Sequence, residues 1–460
     1  MGAKPMNCGE AQNFDWSTSA TGRWSRYGLV ACVVATFTFL ARHLQLDDGL
    51  IYDRYIDNAI HGLGLVYNAG EPVNALTSPL YDYLLLFVSW LLHGRVQMAA
   101  VVIFGVFFAG TCIVAETLFA YSGIVLSTIA YFYWLIGMET SVFLFFLMLS
   151  IALYVRGRAA FLPTILVLAA LTRLEAGLLI VIAVWRLFRE RRLPGLFSVV
   201  PGALLVISYL LINFRLYGHV VSDSSKAKFG QGMSGYWGAW PTAFLRIWHV
   251  WPYFAWTPYA LLIIVVMGYK GVKVAKGSPW SSIVLPFSAL LFLFYWLFNL
   301  PAYHWYYAPF LLVAIIYATV ALTRRRMNAA VLVAVLVVQA ATNGAWLVKS
   351  TSSKHEYARA GEWLAQSTQA NARVAACEIG ELGWVSHRYI IDILGLTTPK
   401  NAEYISRREP DRWLPEDKPD YIVVHRIPWV WEQVAVHSPD YEPTSFRSDT
   451  LVILRRHDVQ

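Results

Sequence analysis

Charge is what this chain has least of. Asp, Glu, Lys and Arg make up 14% of its 460 residues, where an ordinary soluble chain carries about 25%. That shortage excludes a disordered protein and a charge-laced coiled coil. Cysteine is scarce as well. Cys8, Cys32, Cys112 and Cys377 stand far apart and no CxxC occurs, so neither a stapled mini-domain nor a zinc or redox motif follows. Walker A and GxGxxG patterns are missing, which leaves nucleotide binding without support. Residues 1–25 are polar, lack the apolar centre of a signal peptide, and read as a cytoplasmic tail. No internal repeat and no low-complexity tract is present.

What is abundant is apolar and aromatic. These residues reach 57% of the chain, with 19 Trp and 26 Tyr, and the mean hydropathy is +0.48. That composition suits an all-α polytopic membrane protein with aromatic belts at both interfaces. The net charge of +8 does not point to nucleic acid, because the basic residues fall in short runs between apolar stretches. Apolar stretches recur between residues 26 and 349, enough for about eleven spans. The runs Arg189/Arg191/Arg192, Lys270/Lys273/Lys276 and Arg324/Arg325/Arg326 mark cytoplasmic loops. They put the segments 41–77 and 218–255, and everything after Lys349, outside. Counting forward from a cytoplasmic N-terminus gives Glu139 the wrong side, so one stretch between 78 and 136 does not cross fully. Residues 350–460 are richer in charge. A helical signal at Glu356–Gln366 and strand-like runs at Arg373–Cys377, Tyr389–Ile393, Tyr421–His425 and Thr450–Leu454 predict a small extracytoplasmic α/β domain.

The segment LDDGLIYDRYIDNAIHGLGLVYNAGEPVNALTSPL, Leu46 to Leu80, opens on paired carboxylates. Its spacing predicts an amphipathic helix on the membrane surface, with Arg54, Asp57, Asn58 and His61 on the polar side and Tyr55 on the apolar side. Glycines and prolines then force turns. Asp47 and Asp48 at a membrane edge are either a solvated helix cap or a general base. Other polar groups fall on the same side: Glu139 in GMETS, and Arg173 and Glu175 in LTRLEA, which could equally form a structural ion pair. Lys226 and Lys228 sit among serines in the loop after Tyr217. They are a surface charge run or a cluster that neutralises a leaving phosphate. His304, between aromatics, is an interfacial residue or a catalyst.

These residues resemble the GT-C superfamily of membrane glycosyltransferases, and among them the mycobacterial B-type arabinofuranosyltransferases and their bacterial relatives. The first loop matches at Asp47, Asp48, Tyr55, Asn58, Gly62, Gly64, Leu65, Val66, Asn68, Gly70, Glu71, Thr77, Ser78, Pro79 and Leu80. GMETSVF, LTRLEA, YGHVVSDSSKAKF and EIGELGWVSHRYIIDILGLTTP follow in the family's order. Asn74, Ala75 and Leu76 depart from its usual EGY, Leu174 and Ala176 from its LTRPEG, and the loop 218–230 lacks its proline.

The resemblance implies a GT-C fold and transfer of a sugar, such as arabinofuranose, from a polyprenyl-phosphate donor to a polysaccharide or pilin-like acceptor outside the inner membrane. Asp47 or Asp48 would be the base. Lys226, Lys228, Arg54 and His304 would hold the phosphate. Glu139, Arg173, Glu175, Tyr55 and His61 would orient the substrate. A lysine pair could serve where other transferases use a metal, so no cofactor is required, while a divalent ion stays compatible. The competing readings are a transporter or lipid flippase, which would want midplane charges and inverted repeats, and a non-catalytic assembly protein.

Overall fold

A computed structural model describes residues 20–240, 242, 257–324, 329–351 and 356–459. Most of the expected tail, the outer loop beyond Trp240 apart from Thr242, and Arg325 and Arg326 lie outside the described residues. The first part is helical: α1 Ala20–Leu40, α2 Asp47–Ile60, α3 Pro79–Leu91, α4 Val96–Leu118, α5 Ser122–Ser127, α6 Ala130–Tyr133, α7 Thr140–Val155, α8 Leu162–Thr172, α9 Gly177–Arg189, α10 Val200–Tyr217 and α11 Asp223–Ser234. Then come α12 Thr257–Val274, α13 Ser281–Leu297, α14 Ala308–Arg324 and α15 Ala329–Thr351. Among the described residues, Val96–Leu118, Leu196–Tyr217 and His304–Thr323 are long and apolar enough to cross a membrane. Pro79–Leu91, Thr140–Val155, Leu162–Thr172 and Ser281–Leu297 are shorter apolar helices.

The stretch near 122–136 is broken into α5 and α6, six and four residues long. It nevertheless links the two ends of the bundle: Gly123 N–H donates to Glu116 Oε2 at 3.1 Å, and the Gly137 carbonyl, just past α6, accepts from Tyr81 at 2.9 Å beside α2. The stretch that turns back is 78–93: just past α3, Gly94 lies against Ile60 of α2 and Gln97 donates to Gln45 at 3.1 Å, so α3 begins and ends beside α2, and leaving it out of the count removes the conflict between the forward and backward topologies. The ends of the bundle sort accordingly. At one end Arg26 pairs with Glu116 at 2.8 Å and Arg156 donates to Thr117 at 2.8 Å. At the other end α2, the start of α7, α11 and the 3₁₀ turn His304–Tyr307 meet.

The C-terminal part is a mixed five-stranded sheet ordered β2-β1-β3-β5-β4, built from β1 Arg373–Ala376, β2 Tyr389–Asp392, β3 Tyr421–His425, β4 Tyr441–Pro443 and β5 Leu451–Arg456. β1 runs parallel to β2 and β3, and β5 antiparallel to β3 and β4. α16 Glu356–Ser367 and α17 Gly380–Ser386 pack beside it.

α2 is the hinge of the architecture. It does not lie on a surface: Gly49 to Ile56 are all buried. At about 100° per residue, its sequence supplies three polar faces, and each is covered. Asp47 and Arg54, seven apart, face the sheet domain. Asp48 and Tyr52, four apart, face a cavity. Gly49 and Asp53 face the bundle, where a Cβ on Gly49 would stand 3.2 Å from the Gly137 carbonyl carbon. Gly137 itself needs its glycine, at φ +89°.

Candidate active site

The cavity has a volume of about 370 Å³ and is lined by Asp48, Tyr52, Thr77, Glu139, Ser224, Lys228 and Trp305, among others. Three separate segments deliver its charges. Asp48 comes from the first turn of α2 and Glu139 from the residue before α7. Lys228 comes from α11. That segment is a helix rather than the expected loop, because Ser222 caps it, accepting the Ser225 N–H at 3.2 Å. The first loop anchors it as well: Asp223 N–H donates to the Asn74 carbonyl at 2.7 Å, and Asn74 N–H donates back to Asp223 Oδ2 at 3.1 Å.

Helical geometry separates the two lysines. Positions two apart on a helix point about 200° away from each other. Lys228 Nζ is 12% exposed and sits above Trp305 and Tyr303, 5.1 and 5.7 Å from their ring centres. Lys226 faces outward, 56% exposed, on Asp223 Oδ1 at 2.9 Å. Lys228 Nζ stands 3.8 Å from Asp48 Oδ2, beyond hydrogen-bond range, which leaves its N–H bonds free to meet a ligand. Burial opposes its charge, but the Tyr306, Asp48 and Glu139 oxygens around it outweigh that and hold its pKa above the ordinary lysine value. Burial also raises Asp48, with Lys228 opposing. Glu139 Oε2 has no protein partner.

Arg173 and Glu175 form the buttress beneath. Arg173 Nη2 lies 2.5 Å from Glu175 Oε1, and its Nη1 lies 3.8 Å from Glu139 Oε1. It also donates to the Trp305 carbonyl at 3.3 Å. The pair thus fixes Glu139 and Trp305 and does not itself line the cavity.

The acidic pair splits. Asp47 turns away from the cavity and accepts the N–H groups of Gly380 at 2.9 Å and Glu381 at 2.7 Å, free donors at the start of α17. Burial pushes its carboxyl up to about 8, with Glu378 adding and the two N–H donors resisting. Arg54 lies at the same seam, so its expected role at a phosphate is corrected. Its guanidinium donates to the carbonyls of Tyr67 at 2.9 Å, Gly383 at 2.9 Å and Arg388 at 2.6 Å. Asn68 continues the seam by pairing with both backbone groups of Ile390 on edge strand β2, at 2.8 and 3.1 Å.

The other expected residues also fall outside the cavity. Tyr55 donates to the Val73 carbonyl at 2.6 Å and accepts the Ala75 N–H at 3.1 Å, so it shapes the loop. His61 is exposed and turned to the Asp57 carbonyl. The His304 ring packs on Trp134 at 4.5 Å. Tyr52 and Trp305, which do line the cavity, had no distinguishing signal in so aromatic a chain, and Thr77, also on its wall, was marked only by the first-loop likeness. Tyr52 and Thr77 bond through their hydroxyls at 3.0 Å. Among the described residues no cluster of three His, Cys, Asp or Glu side chains could hold a metal ion.

With this geometry in hand, comparison with solved structures is informative. ArnT from Cupriavidus metallidurans bound to undecaprenyl phosphate aligns over 95% of this chain and 98% of its own, at 13% identity and a TM-score of 0.62. Its apo form aligns over the same shares at 14% identity and 0.58. The chain shares the fold of ArnT. Arabinofuranosyltransferase AftD from Mycobacteria aligns over 93% of this chain and 41% of its own, at 13% identity and a TM-score of 0.45, too low to add to that assignment. A family described as a domain of unknown function, DUF8728, matches residues 347–458. No curated protein matches the chain. In this fold the cavity lies at the bundle end that meets the sheet domain.

Proposed function

We propose that the chain is a membrane glycosyltransferase. It moves a sugar, a pentofuranose such as arabinofuranose, from a polyprenyl phosphate to a hydroxyl of a cell-envelope polysaccharide or pilin-like glycoprotein. The observation that carries this reading is Lys228: a nearly buried ammonium with no hydrogen-bonded anion, beside Asp48 and Glu139 in one cavity. Such a group calls for an anionic partner, and a lipid phosphate supplies one. The undecaprenyl phosphate bound to ArnT, a protein of the same fold, supports that choice. The pentofuranose rests on the likeness of the first loop.

Asp48 accepts the proton of the acceptor hydroxyl. The acceptor oxygen bonds to the anomeric carbon while the bond from that carbon to the phosphate oxygen breaks. The lipid phosphate leaves with the electron pair, and Lys228 meets its charge. A raised pKa makes Asp48 a stronger base than a free aspartate. Glu139 Oε2 accepts from a sugar hydroxyl, steadied by Arg173. The basic runs orient the protein in a bacterial inner membrane as a multi-pass chain, N-terminus cytoplasmic and sheet domain periplasmic. The test is to give the purified protein a radiolabelled polyprenyl-phosphate arabinofuranose with envelope polysaccharide. Labelled polymer and free lipid phosphate in equal amounts are expected. Intact donor after prolonged incubation with active protein would overturn the proposal.

A further inference from the structure

The cavity around Asp48 is small, and an acceptor must reach it from outside. Beside it lies a second, open cleft of about 680 Å³, walled by Tyr236, Trp237, Pro428, Trp429, Val430 and Trp431. Trp237 stacks on Trp431 at 4.9 Å with ring planes 15° apart. Trp429 stands edge-on to Trp431 at 5.9 Å. Trp237 and Trp429 remain only half-buried.

Trp429 is held by more than packing. Fully buried Glu432 accepts the backbone N–H of Trp429 at 2.7 Å and lies 2.9 Å from His425 Nδ1. His425, bonded on its other nitrogen to Tyr357 at 3.0 Å, stacks flat beneath the Trp429 indole at 4.0 Å. The capped turn and the stacked imidazole thus present the half-exposed Trp429 indole to the cleft in one orientation. The cleft is also continuous with the candidate active site. The Trp237 side chain lies near the Tyr303 hydroxyl, which donates to Gln231 at 3.1 Å, and the Tyr303 ring lies under Lys228 Nζ.

Rigid indoles with electron-rich faces suit the polarised C–H face of a sugar ring, and exposed Arg426 and Gln433 flank the loop with polar groups for its hydroxyls. We propose that this cleft is the acceptor subsite and that the acceptor is a carbohydrate chain, one ring of which stacks on Trp237 and Trp429. The inference rests on the glycosyltransferase reading and narrows its acceptor from polysaccharide or protein to glycan.

The experiment uses the full chain in lipid nanodiscs and a panel of linear tetrasaccharides of arabinofuranose, galactofuranose, mannose and glucose. Saturation-transfer NMR reads which sugar protons touch protein. At least one tetrasaccharide is expected to bind. Trp429→Ala and Trp237→Ala should weaken that binding at least tenfold with the melting temperature unchanged, and Trp429→Phe should keep most of it. Absence of binding across the panel, or alanine variants that bind like wild type, would overturn the subsite. Quenching of Trp237 and Trp429 by vesicles with brominated acyl chains would also overturn it, as a lipid contact. Oligosaccharide binding without any release of lipid phosphate when donor and the bound tetrasaccharide are supplied together would uphold the subsite and refute the transferase reading.

Discussion

The cavity below α2 and the seam above it are built from the same few residues and have opposite chemistry. In the seam every polar group is spent. Asp47 takes two backbone N–H groups, Arg54 gives to three carbonyls, and Asn68 completes an edge strand. In the cavity the polar groups are left over: Lys228 is short of a partner and Glu139 Oε2 has none. Satisfied buried networks hold structure together, whereas unsatisfied ones are tolerated where a ligand completes them. The contrast assigns neighbours one residue apart to different tasks.

Asp48→Asn sharpens the contrast most. It should lower kcat at least ~10²-fold with the melting temperature unchanged. In the wild type, the acidic limb of the rate profile should lie above the usual carboxylate range, because burial raises Asp48 and only its deprotonated form is a base. A flat profile across that range would remove it as the base.

Arg54→Ala comes next and acts on stability. It strands three buried carbonyls, at a cost of about 2–4 kcal/mol, seen as a lower melting temperature and early proteolysis between the bundle and the sheet domain. Arg54→Lys should not rescue it, since a single ammonium cannot reproduce the fork. If Arg54→Ala instead melts like wild type and loses donor affinity, the seam assignment fails.

A third test uses pH. Burial pushes Asp53 and Asp47 up to about 8, each far above an unfolded aspartate near 3.8. A raised folded pKa gives stability that is complete below the unfolded value and is lost as pH rises through the folded one. Unfolding free energy should therefore fall between about pH 4 and pH 8, by up to about 1.4 kcal/mol per pH unit for each group. Asp53→Asn should flatten the slope, and an unaltered slope would refute this account of α2. The smallest effect belongs to Lys226→Ala, within about 0.5 kcal/mol in stability and with turnover unchanged.

Much of this was legible in the sequence. The short apolar runs at Arg373–Cys377, Tyr389–Ile393 and Tyr421–His425 correspond to β1, β2 and β3. β4, reading Tyr-Glu-Pro, carries no strand signal and owes its place to pairing with β5. The failed span announced itself as a parity conflict, but that it was 78–93 depended on tertiary contacts, which return the end of α3 to α2. Asp48, Glu139 and Lys228 stood out as ionisable groups beside apolar runs. Arg54 was misread because a polar helix face implies water until a second domain is known to cover it. The two lysines could not be told apart while their segment read as a loop, for only a helix turns them to opposite sides.

The most direct measurement is the affinity of the protein for undecaprenyl phosphate, read by native mass spectrometry of the wild type, Lys228→Ala and Lys226→Ala. The account predicts one lipid phosphate bound to the wild type and to Lys226→Ala alike, with affinity reduced on the order of 10²-fold in Lys228→Ala. Equal retention by all three proteins would contradict it.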